Sequence, residues 1–354
     1  MPIASPSQPK IRIERLIKIY GDRPQAALHL FRSGASRDAV LEKTGQVLGV
    51  ADVSFNVEAG EIFVIMGLSG SGKSTLVRCI NRLIDPTSGH IYIDDEDVAH
   101  ASADRLRRIR RQKVSMVFQR FGLFPHKTVV ENVAYGLKVS GMGQTERRTK
   151  ALKTLDSVGL SQWGLRLPGD LSGGMQQRVG LARALATDAE ILLMDEPFSA
   201  LDPLIRREMQ GELLRLQQAL GKTVVFISHD IQEALTLGDR VAVMKDGAMV
   251  QIGTPNELVL QPANDYIRGF TQDVNRAQML TVGALVVRPM PAELDQQTAA
   301  LPRISESNRL SAILHLFQAE PRLAVVNGAG ELRGVIEAAD VLAGISGGDI
   351  KDKV

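Results

Sequence analysis

The sequence predicts an α/β fold with a mostly parallel sheet as its core, followed by a second, smaller α/β unit. Three observations carry this. Four apolar runs, EIFVIM (61–66), VSMVF (114–118), ILLMD (191–195) and TVVFIS (223–228), are continuous rather than alternating, as strands buried on both faces require. Helical periods separate them, which suits the crossovers of a parallel sheet. The run GLSGSGKS (67–74) stands between the first of these strands and the helical period STLVRCINRL, the strand–loop–helix context of a nucleoside triphosphate site.

Composition narrows the field. A chain of 354 residues has room for one large domain and a small one. Hydrophobic residues make up 44%, which excludes global disorder. With 42 basic against 40 acidic residues the net charge is only +2, so bulk charge gives no support for nucleic-acid binding. No apolar run approaches the roughly 18 residues that cross a bilayer. The stretch MPIASPSQPK lacks the apolar segment of a secretory signal. One cysteine, Cys79, forms no intrachain disulfide and points to a reducing compartment.

In chain order, IRIERLIKIY (11–20) reads as a strand. Residues 21–48 interrupt with two short helical patterns, around 26–31 and 36–44. Residues 1–48 are therefore read as an N-terminal strand and helical insertion belonging to the main domain, which continues over 49–261. Residues 262–279 are read as a linker and 280–354 as the small unit. In that unit 308–319 has helical spacing, 323–326 and 332–336 are strand-like with the turn NGAG (327–330) between them, and 338–345 is helical again.

The phosphate loop explains its own composition. Gly70 and Gly72 let successive backbone N–H groups turn towards an anion without a side chain in the way. The helix beginning near Lys73 adds the positive end of its dipole. Lys73 is placed to reach the β- and γ-phosphates, and the Ser74 hydroxyl to ligate magnesium. A second element is ILLMDEP (191–197), which ends an apolar strand in two carboxylates. Two acids at a strand end carry no assignment alone; with the phosphate loop, Asp195 reads as the magnesium holder. Glu196 reads as the group that orients or deprotonates the attacking water. Strand alternation would let the two carboxylates serve these different tasks.

LSGGMQQR (171–178) separates this chain from other phosphate-loop enzymes. Ser172, Gly173 and Gly174 introduce a helix over about 175–186, a second anion-binding terminus. One chain has no use for two such grips unless two copies face each other. Here the sequence resembles the ATP-binding subunits of ABC transporters over residues 11–253. The markers stand in the expected order: the phosphate loop, Gln119 after VSMVF, LSGGMQQR, LLMDEP, SALD (199–202), and His229 after TVVFIS.

The resemblance implies a phosphate-loop ATPase domain with an antiparallel β part and a helical subdomain beside the parallel core. It implies ATP and Mg2+ as cofactors and a homodimer sandwiching two ATP molecules. Each nucleotide lies on Gly67, Leu68, Ser69, Gly70, Ser71, Gly72, Lys73, Ser74 and Thr75 of one copy and on Ser172, Gly173, Gly174 and Gln176 of the other. Asp202 contacts the opposing subunit. Ser74, Gln119 and Asp195 serve the metal, Gln119 reports the γ-phosphate, and His229 acts with the catalytic Glu196. KIYG (18–21) looks like the family's adenine-stacking loop, which makes Tyr20 the platform. The insertion that follows leaves a core tyrosine as the other reading.

Within that family the chain resembles the ATPase subunits of glycine betaine, proline and choline uptake systems, through the insertion with LEKTG (41–45), the run 60–89, SMVFQRFGLFPHKTVVENVAYGL (115–137), FSALDPLIRREMQ (198–210) and VMKDGAMVQIGTP (243–255). Some relatives with this layout serve histidine or proline betaine. The implied partners are integral-membrane permease subunits, with an external substrate-binding protein acting through them and no nucleic acid. The implied place is the cytoplasmic side of the membrane, peripheral to it. An ABC ATPase working on nucleic acid would need two cassettes or long coiled coils, and a stand-alone kinase has no use for LSGGMQQR.

Three features remain open in the sequence. Phe118, Phe121 and Phe124 form either a groove for a partner helix or ordinary core. RLRRIRRQK (105–113), with six basic residues in nine, is either a solvated helix face or a salt-screened contact with anionic lipid. Residues 308–345 resemble one CBS motif. Only LTVGALVVRP (280–289) could represent part of the usual second motif, so ligand binding, dimer formation and a vestigial role all stay open.

Overall fold

The computed structural model describes residues 8–119, 122–285 and 301–346. The chain divides into two compact units, Met1–Val250 and Gln251–Val354.

In the first unit, β1 (Ile11–Tyr20), β2 (Val47–Val57), β4 (Ser88–Ile93) and β5 (Glu96–Asp97) form an antiparallel sheet in the order β2-β1-β4-β5. β3 (Ile62–Met66), β6 (Val114–Val117), β7 (Ile191–Asp195), β8 (Thr223–Ser228), β9 (Arg240–Lys245) and β10 (Ala248–Gly253) form the second sheet, ordered β10-β9-β3-β8-β7-β6. Every pairing from β9 through β3, β8 and β7 to β6 is parallel. β3, β7 and β8 are buried at every position, which is why their sequences show no alternation. A stacked pair, Phe55 on β2 and Phe63 on β3 with centroids 4.9 Å apart, joins the two sheets.

The insertion forms two helices, Pro24–Arg32 and Arg37–Thr44. Its Ala27, Leu28 and Val40 bury against Ile17, Ile19 and Leu48, so it caps the antiparallel sheet with a small core of its own. Helices Val129–Val133, Tyr135–Val139, Gln144–Ser157 and Gly173–Leu185 make up a helical region between β6 and β7. Parallel strands bring their carboxyl ends to one edge. That edge carries the loops after β3, β6, β7 and β8, and hence every nucleotide-site residue named above that follows a strand of this sheet.

The second unit begins eleven residues before the expected boundary at 261. Residues 262–279 contain two short helices, Asp265–Thr271 and Arg276–Met279, each capped by an asparagine side chain and burying Ile267, Thr271 and Met279. β11 (Arg303–Ser305) pairs parallel with β12 (Arg322–Val326), which pairs antiparallel with β13 (Leu332–Glu337) across the NGAG turn. The pattern over 308–319 splits into an α-helix, Leu310–Ile313, and a 3₁₀ stretch, Leu314–Gln318. Leu310 and Ile313 are buried and nothing in 314–318 is, so packing holds only the first part. Helix Ala338–Ser346 follows β13. Of LTVGALVVRP, residues 286–289 lie outside the described residues. Among the described residues no helix is long and apolar enough to cross a membrane.

Candidate functional site

The loop after β3 is built on backbone conformations that only glycine takes without strain. Gly70 and Gly72 have φ of +78° and +100°, and Gly72 starts the helix Lys73–Ile80. A Cβ on Gly72 would stand 2.2 Å from the Gly49 carbonyl oxygen, so the loop lies directly on β2. The Lys73 ammonium donates to the carbonyls of Gly67 (2.9 Å) and Leu68 (3.0 Å). Lys73 is buried at 5% exposure, and burial presses its pKa below the ordinary lysine value while the Glu196 and Asp195 carboxylates push it back up. Cys79 sits buried in the same helix, its thiol pushed up to about 12 by burial, and is no nucleophile at neutral pH.

Two strands away in the sheet, Asp195 ends β7 at 1% exposure. The Ser74 hydroxyl donates to its Oδ1 at 2.7 Å, and the Arg78 guanidinium to its Oδ2 at 3.0 Å. The two carboxylates do not separate by strand alternation as the sequence reading supposed. β7 stops at Asp195, and Glu196 turns into the left-handed region at φ +47°, which carries its side chain into the cleft. There Glu196 Oε2 is shared: Gln119 Nε2 donates to it at 3.2 Å, and His229 Nδ1 lies 3.2 Å away.

Behind His229, the buried Glu233 carboxyl accepts from the Ser228 hydroxyl and, at 3.1 Å, from Gln210 Nε2. Burial pushes its pKa up, with those hydrogen bonds opposing. Arg206 lies alongside, paired with Asp230 at 3.5 Å and donating to the Leu201 carbonyl at 3.1 Å.

Tyr20, Arg37, Ser69, Gly70, Gly72, Lys73, Ser74, Thr75, Gln119 and Glu196 line one cleft of about 410 Å³. Tyr20 keeps 38% of its surface exposed, and its hydroxyl bonds Thr75 Oγ1 at 3.0 Å. Ser172, Gly173, Gly174, Gln176 and Asp202 line no part of that cleft. Ser172 is exposed and caps the helix Gly173–Leu185, its Oγ accepting from the Met175 N–H at 3.4 Å. Gln176 donates to the Leu171 carbonyl at 3.1 Å. Asp202 is exposed and caps the helix Pro203–Leu220 through the N–H groups of Leu204 and Ile205.

The family model described as "ABC transporter" matches residues 50–199. The glycine betaine transport ATP-binding protein OpuAA of Bacillus subtilis (strain 168) is 49% identical over 317 residues, 90% of this chain and 76% of that protein. This chain belongs to the ABC transporter ATP-binding family. The glycine betaine/proline betaine transport system ATP-binding protein ProV of Escherichia coli (strain K12) is 55% identical over 272 residues, 77% of this chain and 68% of that one. Among solved structures, a dimeric post-hydrolysis state of the ATP-binding cassette MJ0796 bound to ADP and Pi superposes with a TM-score of 0.59. It is 35% identical and covers 69% of this chain and 98% of that one.

Several residues of this ABC ATPase escaped the sequence reading. Arg78 follows Ser74 by four residues and therefore shares its helix face, a signal that was legible. Asn132, fully buried, fastens the loop after Gln119: its Oδ1 accepts from the Phe124 N–H at 2.8 Å, and its Nδ2 donates to Phe124, Lys127 and Thr128 carbonyls. Phe118 and Phe124 are not core; both keep part of their surface exposed, and Phe124 packs on the exposed Tyr135. Phe121 lies outside the described residues.

The basic run forms the amphipathic helix Ala103–Gln112, with Leu106 and Ile109 buried. Arg110 donates to the Asn81 and Arg82 carbonyls, and Arg105 and Lys113 pair with Glu96. Arg107, Arg108 and Arg111 remain on the exposed face.

Proposed function

We propose that this chain is the ATP-hydrolysing subunit of a quaternary-amine (betaine) importer. In that role it works as a homodimer beneath a membrane permease that takes its cargo from an external binding protein. The observation that carries the catalytic part is the shared Glu196 Oε2, held by Gln119 and His229 beside the Lys73–Ser74 loop. The cargo class rests on relatives named for glycine betaine and proline betaine transport at 48–55% identity. Relatives named for trimethylamine N-oxide transport are 47–50% identical, and that compound shares a trimethylated nitrogen with glycine betaine.

ATP phosphates bind on the N–H groups of the loop after β3 and on Lys73, whose ammonium exchanges its loop carbonyls for phosphate oxygens. Tyr20 stacks on the adenine. Ser74, Asp195 and Gln119 present hard oxygen donors, a set that fits Mg2+, with Ser74 and Asp195 already in contact. When bound, that ion offsets charge on the β- and γ-phosphates. Glu196 accepts a proton from the attacking water or orients it, and His229 holds Glu196 and the γ-phosphate end in register. Ser172, Gly173, Gly174 and Gln176 complete the partner's site, with Asp202 at the joint. Phe118 and Phe124 beside Gln119 form a seat for a permease helix. The order β11, helix, β12, β13, helix in residues 303–346 supports a single CBS-like motif in the second unit.

Glu196→Gln tests the assignment. With Mg2+ and ATP the variant should form a stable dimer by size-exclusion chromatography with light scattering, and lose hydrolysis. A variant that hydrolyses normally, or stays monomeric at saturating ATP, overturns the reading.

A further inference from the structure

We propose that His90, Asp97 and His100 form a binding site for one divalent transition-metal ion of the zinc class. The site is built by the β4–β5 hairpin. Asp94 and Asp95 at its turn have φ of +47° and +62°, and that sharp reversal brings Asp97 back opposite Tyr92, from where its carboxylate reaches His90, two residues earlier on β4. His100 follows three residues later.

The donor atoms converge. His90 Nδ1 and His100 Nδ1 each lie 2.8 Å from the same atom, Asp97 Oδ2, and all three lie within 4.8 Å of one another. Around a tetrahedral zinc ion with bonds of about 2.1 Å, neighbouring ligand atoms stand about 3.4 Å apart. Each imidazole nitrogen would draw back from Asp97 Oδ2 by about 0.6 Å, and the two nitrogens would settle at the same separation of about 3.4 Å, to admit the ion. The side chains, 48% and 63% exposed, have room to do so.

The rest of the cluster is already oriented. Asp97 Oδ1 accepts from the Ala99 N–H at 3.0 Å, which fixes the carboxylate and leaves Oδ2 for the ion. The His90 ring stacks on Tyr92 at 5.8 Å, and the His100 ring stands 5.0 Å from it. Two imidazole nitrogens and one carboxylate oxygen make a borderline-soft set. It favours Zn2+ and its neighbours over Mg2+ or Ca2+, which prefer oxygen alone. Three protein ligands leave a position for water. None of the three lines the nucleotide cleft, and none is among the residues assigned above to ATP or its metal. Loading it would tie β4 to the segment leading into Ser102, the cap of the basic helix Ala103–Gln112.

The test uses the full chain, stripped with a chelator and titrated with Zn2+ alone against a chromophoric competitor. One ion per chain is expected, retained in excess Mg2+. Affinity should fall at least about tenfold in His90→Ala and in His100→Ala. Asp97→Asn, which keeps the side-chain shape, should also weaken it. Co2+ in place of zinc should give the visible absorption of a four-coordinate N/O site, lost in each variant while the far-ultraviolet circular dichroism stays unchanged. No retained zinc at micromolar concentration, or equal affinity in the chain carrying both histidine replacements, would reduce the cluster to two hydrogen bonds on a shared carboxylate.

Discussion

Two glycines in one loop should respond very differently to the same methyl group. Gly70 and Gly72 both have positive φ, so replacing either by alanine strains the backbone by about 1–2 kcal/mol. Around Gly70 no atom of the described residues lies within 4 Å of the new Cβ, and the strain is the whole cost. At Gly72 the Cβ would stand 2.2 Å from the Gly49 carbonyl oxygen, a backbone atom that no side-chain rotation can move. The loop is also pinned from the other side. Gly247 N–H donates to the Ser71 carbonyl at 3.0 Å, and the Gly247 carbonyl accepts from Ala51 at 2.8 Å. Overpacking of this kind adds about 1–3 kcal/mol, so Gly72→Ala should cost about 2–5 kcal/mol in all. Urea unfolding of both variants reads the difference, and binding of a fluorescent ATP analogue should weaken more in Gly72→Ala. Equal stability losses, or a larger loss at Gly70, would refute the claim that contact between the loop and β2 sets its position.

Tyr20→Ala should weaken ATP binding about 5- to 150-fold, the range of losing about 1–3 kcal/mol of base stacking, whereas Tyr20→Phe should stay near wild type. Equal binding in all three, measured by nucleotide titration, would return Tyr20 to a structural role. Glu233 has a raised pKa in the folded chain, so it adds stability below its ordinary value of 4.5 and loses it as pH climbs through the folded value. Glu233→Gln cannot ionise, and its denaturation midpoint should therefore gain on wild type as pH rises above about 4.5; a gap constant from pH 4 to 8 would contradict the burial argument. Replacing Arg107, Arg108 and Arg111 by glutamine should flatten the salt dependence of transport in vesicles containing anionic lipid if that face meets the membrane. An unchanged profile would mark it as an ordinary solvated surface.

The buried strands and the phosphate loop were legible because their composition is itself the physical requirement. A short all-apolar run bounded by turn signals fits a strand covered on both faces, and glycines clear the path of a phosphate. The pairing sense, the insertion's two helices and the turn at NGAG followed from equally local signals. Three matters were not local. Glu196 leaves strand alternation through a positive φ that nothing in ILLMDEP announces. Arg37, in the insertion, lines the cleft and pairs with Asp246, a partner 209 residues away. The helix read over 308–319 has continuous spacing in sequence, yet only its first turn buries side chains fully.

Ser172 holds a further consequence. A hydroxyl has one proton and two lone pairs, and the Met175 N–H takes only a lone pair. Starting the helix therefore leaves the proton unspent, on an oxygen whose torsion the cap has already restricted. In the proposed dimer, an incoming oxyanion would meet a donor whose freedom was given up when the chain folded, and the association step would be spared that loss. Removing the hydroxyl would fray the helix in each subunit and, in the proposed dimer, also unseat the anion presented across the interface.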